Sequence, residues 1–533
     1  MKKTLILLIC LSFVLSLLLC SCDKKKGKKT TTTTTAQTTT ARPGPNPGSS
    51  SSSSTSTRPV KTYPNFGGSS LVIQLSDYSD AEFNAGGKKY MAGPDGPSSD
   101  KVENYVYERN QEAYAKLGVE VEYRYSNKGW SQMANEIKTT ESTGSDCPDM
   151  YSEMLYDMMI ATMNSCFYNL KNMTVESGNG YFEFTEENGY MTEFMEGLTM
   201  SNDKMYLLGS QYFVDLIRSM MVLSVNIDLY QQTCGDIIDF YDDIMQGKWT
   251  WDYMIGLGKM HNDRTGDGST MDDILVFAAE TAGGRSASGL VYSTDIHILD
   301  TRVEDDGSYT FSYNPNNPQL YSIFNKIAQV FAANGFCAIT GGTAQSETDE
   351  LFYKFASGTI LFGGAINMGA VEKEVYQNMT QSFGLVPIPK MSEADNYNTL
   401  IHNVGRCGAI SYHCTKLKEI SAFIQFCSEN SDDVVNEYYN YAMKYKYTSD
   451  AGTAEMLDMI YDNIVAIREK AMDDLIGAMN TEAGSLKWHS LLMGGESEDY
   501  QSNAGQIATV YTEAIMLKKN VLDTLKKTWA TLP

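Results

Sequence analysis

The side chains with the widest chemical repertoire, ten cysteines and five histidines, are spread along 533 residues in spacings that assemble no reaction centre. His261, His297, His402, His413 and His489 stand far apart. The chain has no H-E-x-x-H pair, no G-x-S-x-G nucleophile turn and no G-x-x-x-x-G-K-[ST] phosphate loop. Cys147, Cys166, Cys234, Cys337, Cys407, Cys414 and Cys427 form no C-x-x-C arrangement. Most read as small buried apolar residues, and an oxidising exterior permits a disulfide among Cys407, Cys414 and Cys427 without demanding one. A zinc site from those thiols and His413 matches no finger or ribbon spacing. Asp263, Asp267 and Gly268 fit positions 1, 5 and 6 of an EF-hand loop, but Thr265, Met271 and Ile274 stand at 3, 9 and 12, so no metal is expected. Two carboxylates acting as glycosidase acid and nucleophile meet in space, not in sequence, so 66 acids leave that class open. The chain is better supplied for another chemistry. Its 34 tyrosines and five tryptophans offer flat faces for the C–H surfaces of sugars, with carboxylates, amides and arginine available to the hydroxyls.

One thiol has a defined fate. Lys2 and Lys3 precede an apolar run from Leu5 to Leu19 that is too short for an ordinary membrane anchor and reads as a signal peptide over 1–21. The run closes in Leu19-Cys20-Ser21-Cys22, which resembles the lipobox of bacterial lipoproteins. That resemblance implies a diacylglyceryl thioether on Cys22, which becomes the first mature residue. Each buried methylene contributes about 0.8 kcal/mol, so two or three acyl chains hold the protein to a membrane without a transmembrane helix. Five lysines between Asp23 and Lys29 suit anionic headgroups. From Thr30 to Thr62 the chain is Thr, Ser, Pro and Gly, with too little to bury to offset its ordering entropy. About 33 flexible residues span roughly 30 Å, so 22–62 is expected to tether the body 63–533 a domain-width from the surface. The formal net charge of −24 becomes −30 beyond residue 29, which excludes nucleic acid as a partner.

The elements that must position any site follow in order. Leu71–Leu75 is a short apolar strand, followed by a Gly- and Asp-rich loop. Val102, Tyr105, Val106, Tyr114 and Leu117 recur at helical spacing over 101–116. Val119–Tyr125 alternates as a half-exposed strand, a helix runs from Trp130 to Glu141, and Met150–Met154 is the next strand. Strand, helix, strand in this rhythm predicts parallel pairing in an α/β lobe. Farther on, Thr250 is a natural N-cap, and Trp249 and Trp251 are expected to staple the helix that follows to its lobe.

Six stretches, in one order, resemble the sugar-binding group of extracellular solute-binding proteins of bacterial ABC importers, to which maltose-binding proteins belong. They are VENYVYERNQEAYAKLGV at Val102–Val119, STGSDCPDMY at Ser142–Tyr151, GKWTWD at Gly247–Asp252, FASGTILFGG at Phe355–Gly364, FGLVPIPK at Phe383–Lys390, and the helix pair over Tyr438–Leu457. The resemblance implies an α/β, two-lobed, periplasmic-binding-protein-like fold of type II, with discontinuous lobes joined by hinge strands. Lobe 1 is expected over 63–217 and 398–450, and lobe 2 over 218–397 and 451–533.

In that fold the ligand lies between the lobes, at strand ends. Asp77 and Tyr78 are expected in the loop after the first strand, Trp130 after the second, and Ser152 and Glu153 after the third. Tyr212 approaches the first hinge, Asn367 follows the buried strand Thr359–Ala365, and Asn403 with Arg406 follows the return to lobe 1. Asp77, Tyr78, Trp130, Glu153, Tyr212, Asn367, Asn403 and Arg406 are the expected ligand contacts. Trp488, in a late Gly-rich segment, has the reach to join them. The implied protein is a monomeric, lipid-anchored, non-enzymatic receptor on the extracytoplasmic face, which takes an oligosaccharide or other small solute to permease subunits and uses no cofactor. The alternatives are a surface glycoside hydrolase and a carbohydrate sensor or adhesin.

Overall fold

A computed structural model describes residues 62–258, 275–280, 285–294, 299–305, 307–313, 318–331, 333, 335–339, 341–444, 451–465 and 521–533. Cys22, the linker through residue 61, the acidic loop 263–274 and Trp488 lie outside them. Among the described residues no helix is long and apolar enough to cross a membrane.

Alternation in the first strand sets up one layered lobe. Strand β1 (Ser69–Ser76) buries Leu71, Ile73 and Leu75. It pairs in parallel with β2 (Val119–Ser126) on one side and β3 (Met150–Met154) on the other. Parallel neighbours need crossovers, and helices α1 (Lys101–Leu117) and α2 (Gln132–Thr143) supply them. Asp100 starts α1 by accepting a hydrogen bond from Glu103 N, and Gly118 ends it at φ 61°. The sequence-predicted bounds of β1, α1, β2 and β3 hold to within a residue or two, and α2 starts two residues later than expected.

The second sheet has the order β10-β4-β9-β5-β8. Its strands are β4 (Met221–Asn226), β5 (Leu275–Glu280), β8 (Phe336–Ile339), β9 (Ile360–Asn367) and β10 (Phe383–Val386). Strand β5 runs parallel to β8 and β9, while β4 is antiparallel to β9 and β10. A hairpin of β6 (Leu299–Val303) and β7 (Tyr309–Tyr313) stands apart from it. The core of this lobe is aromatic. Trp249 is fully buried, edge-on to Phe240 at 4.9 Å and 5.1 Å from Phe362, and its Nε1 donates to Pro387 O at 2.9 Å. Thr250 Oγ1 accepts from Tyr253 N at the start of helix α3 (Trp251–Gly258), as its sequence position predicts.

The chain passes between the sheets at adjacent points. Met368 N, just past β9, donates to Met220 O at 2.8 Å, and His402 N to Ser219 O at 2.9 Å, so the two crossing segments and the end of β9 lie side by side. The short strand β11 (Thr399–Leu400) leads into the crossing, and past it β12 (Arg406–Ile410) joins the first sheet antiparallel to β3 and gives the order β12-β3-β1-β2. The terminal helix 521–531 packs on the segment 201–206, where the expected boundaries had put it with lobe 2. Trp529 lies edge-on to Tyr206 at 5.2 Å and donates to Ser201 Oγ, and Lys204 Nζ reaches the carbonyls of Trp529, Ala530 and Leu532. A lysine against the last carbonyls of a helix answers both its unpaired acceptors and its dipole, a preference that spacing in the sequence does not reveal.

Replacing a buried tryptophan leaves a cavity and strands a carbonyl. Trp249→Ala is expected to destabilise the protein by about 3–5 kcal/mol in denaturant unfolding, and Trp249→Phe by distinctly less.

Candidate ligand-binding cleft

The ends of β1 and β3, the start of β12 and the end of β9 converge where the crossing segments meet. The rim on the first-lobe side is aromatic. Trp130 is 39% exposed and tilts against Tyr156 with ring centroids 5.2 Å apart. Tyr78 beside it is half-buried. The turn that presents it is strained, because Trp130 and Ser131 both have positive φ, 49° and 70°. Asp157 holds that turn: its buried Oδ1 accepts from Ser131 N at 2.7 Å and Ala134 N at 3.1 Å, capping α2 in place of Ser131, which makes no side-chain cap. Burial pushes the Asp157 carboxyl up, and those backbone N–H groups oppose the push. At Gly129 a Cβ would stand 2.9 Å from the Tyr78 ring and 3.0 Å from Met154 Sδ, so only glycine lets the three meet.

Below the rim lies a buried polar floor. Arg406 Nη2 donates to Tyr78 O at 2.6 Å, its Nε is 3.7 Å from Asp215 Oδ2, and among the described residues its Nη1 has no hydrogen-bond partner. The same holds for both side-chain polar atoms of Asn367 and for Asn403 Oδ1, all in buried residues. Unpaired buried groups are costly, and polar groups of a bound solute would offset that cost. Glu153 lies within β3 and not in the loop after it. It is fully buried and accepts from Gln74 Nε2 at 3.3 Å. Burial drives its carboxyl well above the usual carboxylate range, against the pull of Gln74, Ser76 and Arg406.

Of the eight expected contacts, Tyr78, Trp130, Glu153, Asn403, Arg406 and Asn367 are placed along this seam. Asp77 is at its edge, exposed, with its N–H on Ser126 O. Tyr212 is not in the cleft. It is fully buried in the first-lobe core, edge-on to Phe213 and Phe423, with the Arg109 guanidinium 4.8 Å from its ring centroid. An aromatic ring beside a buried cation packs more favourably than at an open rim, and the partners Arg109 and Phe423 are too distant in sequence to predict.

Sequence reasoning also missed the residues that fill the seam. The loop after β1 folds into a hairpin, with Ser79 bridged to Asn84 and Asp80 N on Phe83 O. Its tip, Asp80, Ala81, Glu82 and Phe83, is buried, and Glu82 and Phe83 are each 1% exposed. Glu82 Oε1 is 2.7 Å from Arg285 Nη1, at the start of helix α4 (Arg285–Tyr292), and Oε2 accepts from Asn367 N at 2.7 Å. Phe83 packs between two guanidinium groups, Arg218 at 4.7 Å and Arg406 at 5.1 Å. An apolar, acidic tip bounded by Gly and Asn was the available signal, and it read as an ordinary loop.

Two mixed sheets joined by several crossing segments, with polar and aromatic groups at the junction, make this a two-lobed, periplasmic-binding-protein-like molecule. No protein-family model matches the sequence, and no curated protein matches it. Solved structures do share its fold. The sugar-binding protein MalE from Xanthomonas citri superposes with a TM-score of 0.51 at 9% identity, covering 85% of this chain and 99% of that one. The galacto-N-biose-/lacto-N-biose I-binding protein of the Bifidobacterium longum ABC transporter, in complex with lacto-N-biose, gives 0.50 at 12%, covering 86% and 98%. A cyclo/maltodextrin-binding protein complexed with maltotetraose gives 0.50 at 13%, covering 83% and 96%.

The raised Glu153 carboxyl makes stability depend on pH. An acid whose pKa rises on folding contributes stability that is complete below its unfolded value, about 4.3, and is lost as pH climbs through the folded value. Glu153→Gln keeps an acceptor for Gln74 and is expected to raise Tm at pH 8 by roughly 2 °C or more. At pH 4 its effect should vanish, and an equal gain at both pH values would show that ionisation is not the cause.

Proposed function

We propose that this protein is the solute-binding subunit of an ABC importer, lipid-anchored through Cys22 on the extracytoplasmic face of the cell membrane. It captures a carbohydrate, an oligosaccharide by preference, between its lobes and delivers it as a monomer to permease subunits. The observation that carries the reading is the aromatic rim of Tyr78, Trp130 and Tyr156 above the buried Arg406, Glu153, Asn403 and Asn367, in a fold shared with sugar-binding proteins. Ring faces suit the C–H surface of a sugar, and unpaired amide and guanidinium groups suit its hydroxyls. The maltotetraose and lacto-N-biose bound by two of those relatives support an oligosaccharide of a few units.

The work is binding and hinge motion, without a bond made or broken. A solute that touches both lobes stabilises the closed form by its differential affinity, and that form docks on the permease. The strands Met221–Asn226 and Arg406–Ile410 begin close to the crossing, so rotation there moves the sheets as bodies.

A thermal-shift screen of the purified protein against maltotetraose, lacto-N-biose and related sugars tests the reading. A sugar at 100 times its Kd should add about 2.7 kcal/mol of stability. Trp130→Ala is expected to weaken the same sugar about tenfold, with a smaller loss of stability than Trp249→Ala because the residue is 39% exposed. Unchanged affinity would remove Trp130 from the site, and turnover of the sugar would replace the receptor reading with a hydrolase. Labelled palmitate should enter the wild-type protein in cells and be absent from Cys22→Ser.

A further inference from the structure

The hairpin tip at Asp80–Phe83 is an unusual use of a loop. Loops run over surfaces because buried backbone and charge must be satisfied, yet this one carries two carboxylates inward. Its root is fastened on the first-lobe side: Asn84 O accepts from Arg218 Nη1 at 2.9 Å, and Gly86 N donates to Asp215 Oδ2 at 2.8 Å. A Cβ at Gly86 would stand 2.3 Å from Asp215 Oδ1, so the fastening requires glycine. Its tip is fastened on the second lobe, where Glu82 takes both Arg285 and the backbone N–H of Asn367, and a Cβ at Gly369 would stand 3.2 Å from the Phe83 ring. Asp80 Oδ1 adds a longer contact to Arg285 at 3.8 Å. Arg285 and the end of β9 belong to the second lobe, and a residue from the first-lobe loop engages both.

We propose that the Asp80–Phe83 tip is an internal clasp: it bridges the two lobes in the space a solute uses, and solute binding displaces it. The clasp competes with the solute for Arg285 and Asn367, lowers apparent affinity by the population of the clasped form, and keeps the lobes together before capture. Its action does not depend on the solute being a carbohydrate.

The test measures lobe separation in the full chain without solute. Nitroxides carried on unnatural amino acids at Lys138, exposed on α2, and Glu350, exposed on helix α5 (Ala344–Ala356) of the second lobe, report the distance. The wild type should show one short population, and Glu82→Ala should shift it to longer distances, with Glu82→Gln intermediate because its amide oxygen still accepts from Asn367 N. If Glu82→Ala fails to fold, judged by its melting curve, Glu82→Gln against wild type is decisive. Identical distance distributions in folded variants would overturn the clasp. If the clasped form outnumbers the open form about ten to one, Glu82→Ala should also bind maltotetraose about tenfold tighter. Opened lobes without maltotetraose binding would leave the clasp standing and count against the carbohydrate reading alone.

Discussion

One guanidinium organises the junction between the lobes. Arg218 donates to Glu372 through Nε and Nη2 at 2.9 and 2.6 Å, to Asp215 at 2.5 Å and to Asn84 O at 2.9 Å. The rings of Phe83 and Tyr90 lie 4.7 and 5.1 Å from it. Glu372 accepts in turn from Tyr438 OH at 3.0 Å. A planar cation with five donors can hold the post-β1 hairpin, the short helix Val214–Arg218, the segment after β9 and the late helix Asp432–Lys444 in one geometry. An ammonium at the same point would hold fewer of them.

Such a network is a poor source of net stability. Moving carboxylates and guanidinium groups out of water costs several kcal/mol per ion, and the attraction between them often does no more than offset it. What it supplies is definition. Arg218, Arg285 and Arg406 meet Asp80, Glu82, Asp215 and Glu372 where two rigid sheets approach, and exchanging partners there means moving one lobe against the other. A junction built from charge is therefore more easily parted by a polar competitor than one built from aliphatic packing.

The first-lobe rim follows a different logic. Trp130 is held out by a backbone turn with two positive φ values, and the strain is offset by Asp157 from the next helix. Strain that persists only because its surroundings over-determine it concentrates at working sites. Here it holds the large Trp130 ring against Tyr156 while leaving it 39% exposed.

The sequence by itself determined the layers. Period-two burial in Ser69–Ser76, the Asp100 cap and Gly118 stop, the Thr250 cap and the stapling role of Trp249 depend on neighbours a few residues apart or on simple apolarity, and local spacing reads both. It also singled out Tyr78, Trp130, Glu153, Asn367, Asn403 and Arg406, which the fold brings to neighbouring strand ends, because strand ends are local. Tertiary structure alone decided the rest. Glu82 meets Asn367 across 285 positions, Tyr212 turns into the core beside Arg109, and the terminal helix returns to the first lobe on Lys204. Each depends on charge or ring partners whose proximity is created by the crossing of the chain between sheets, and a side chain's preference among distant partners leaves no periodic trace in the sequence.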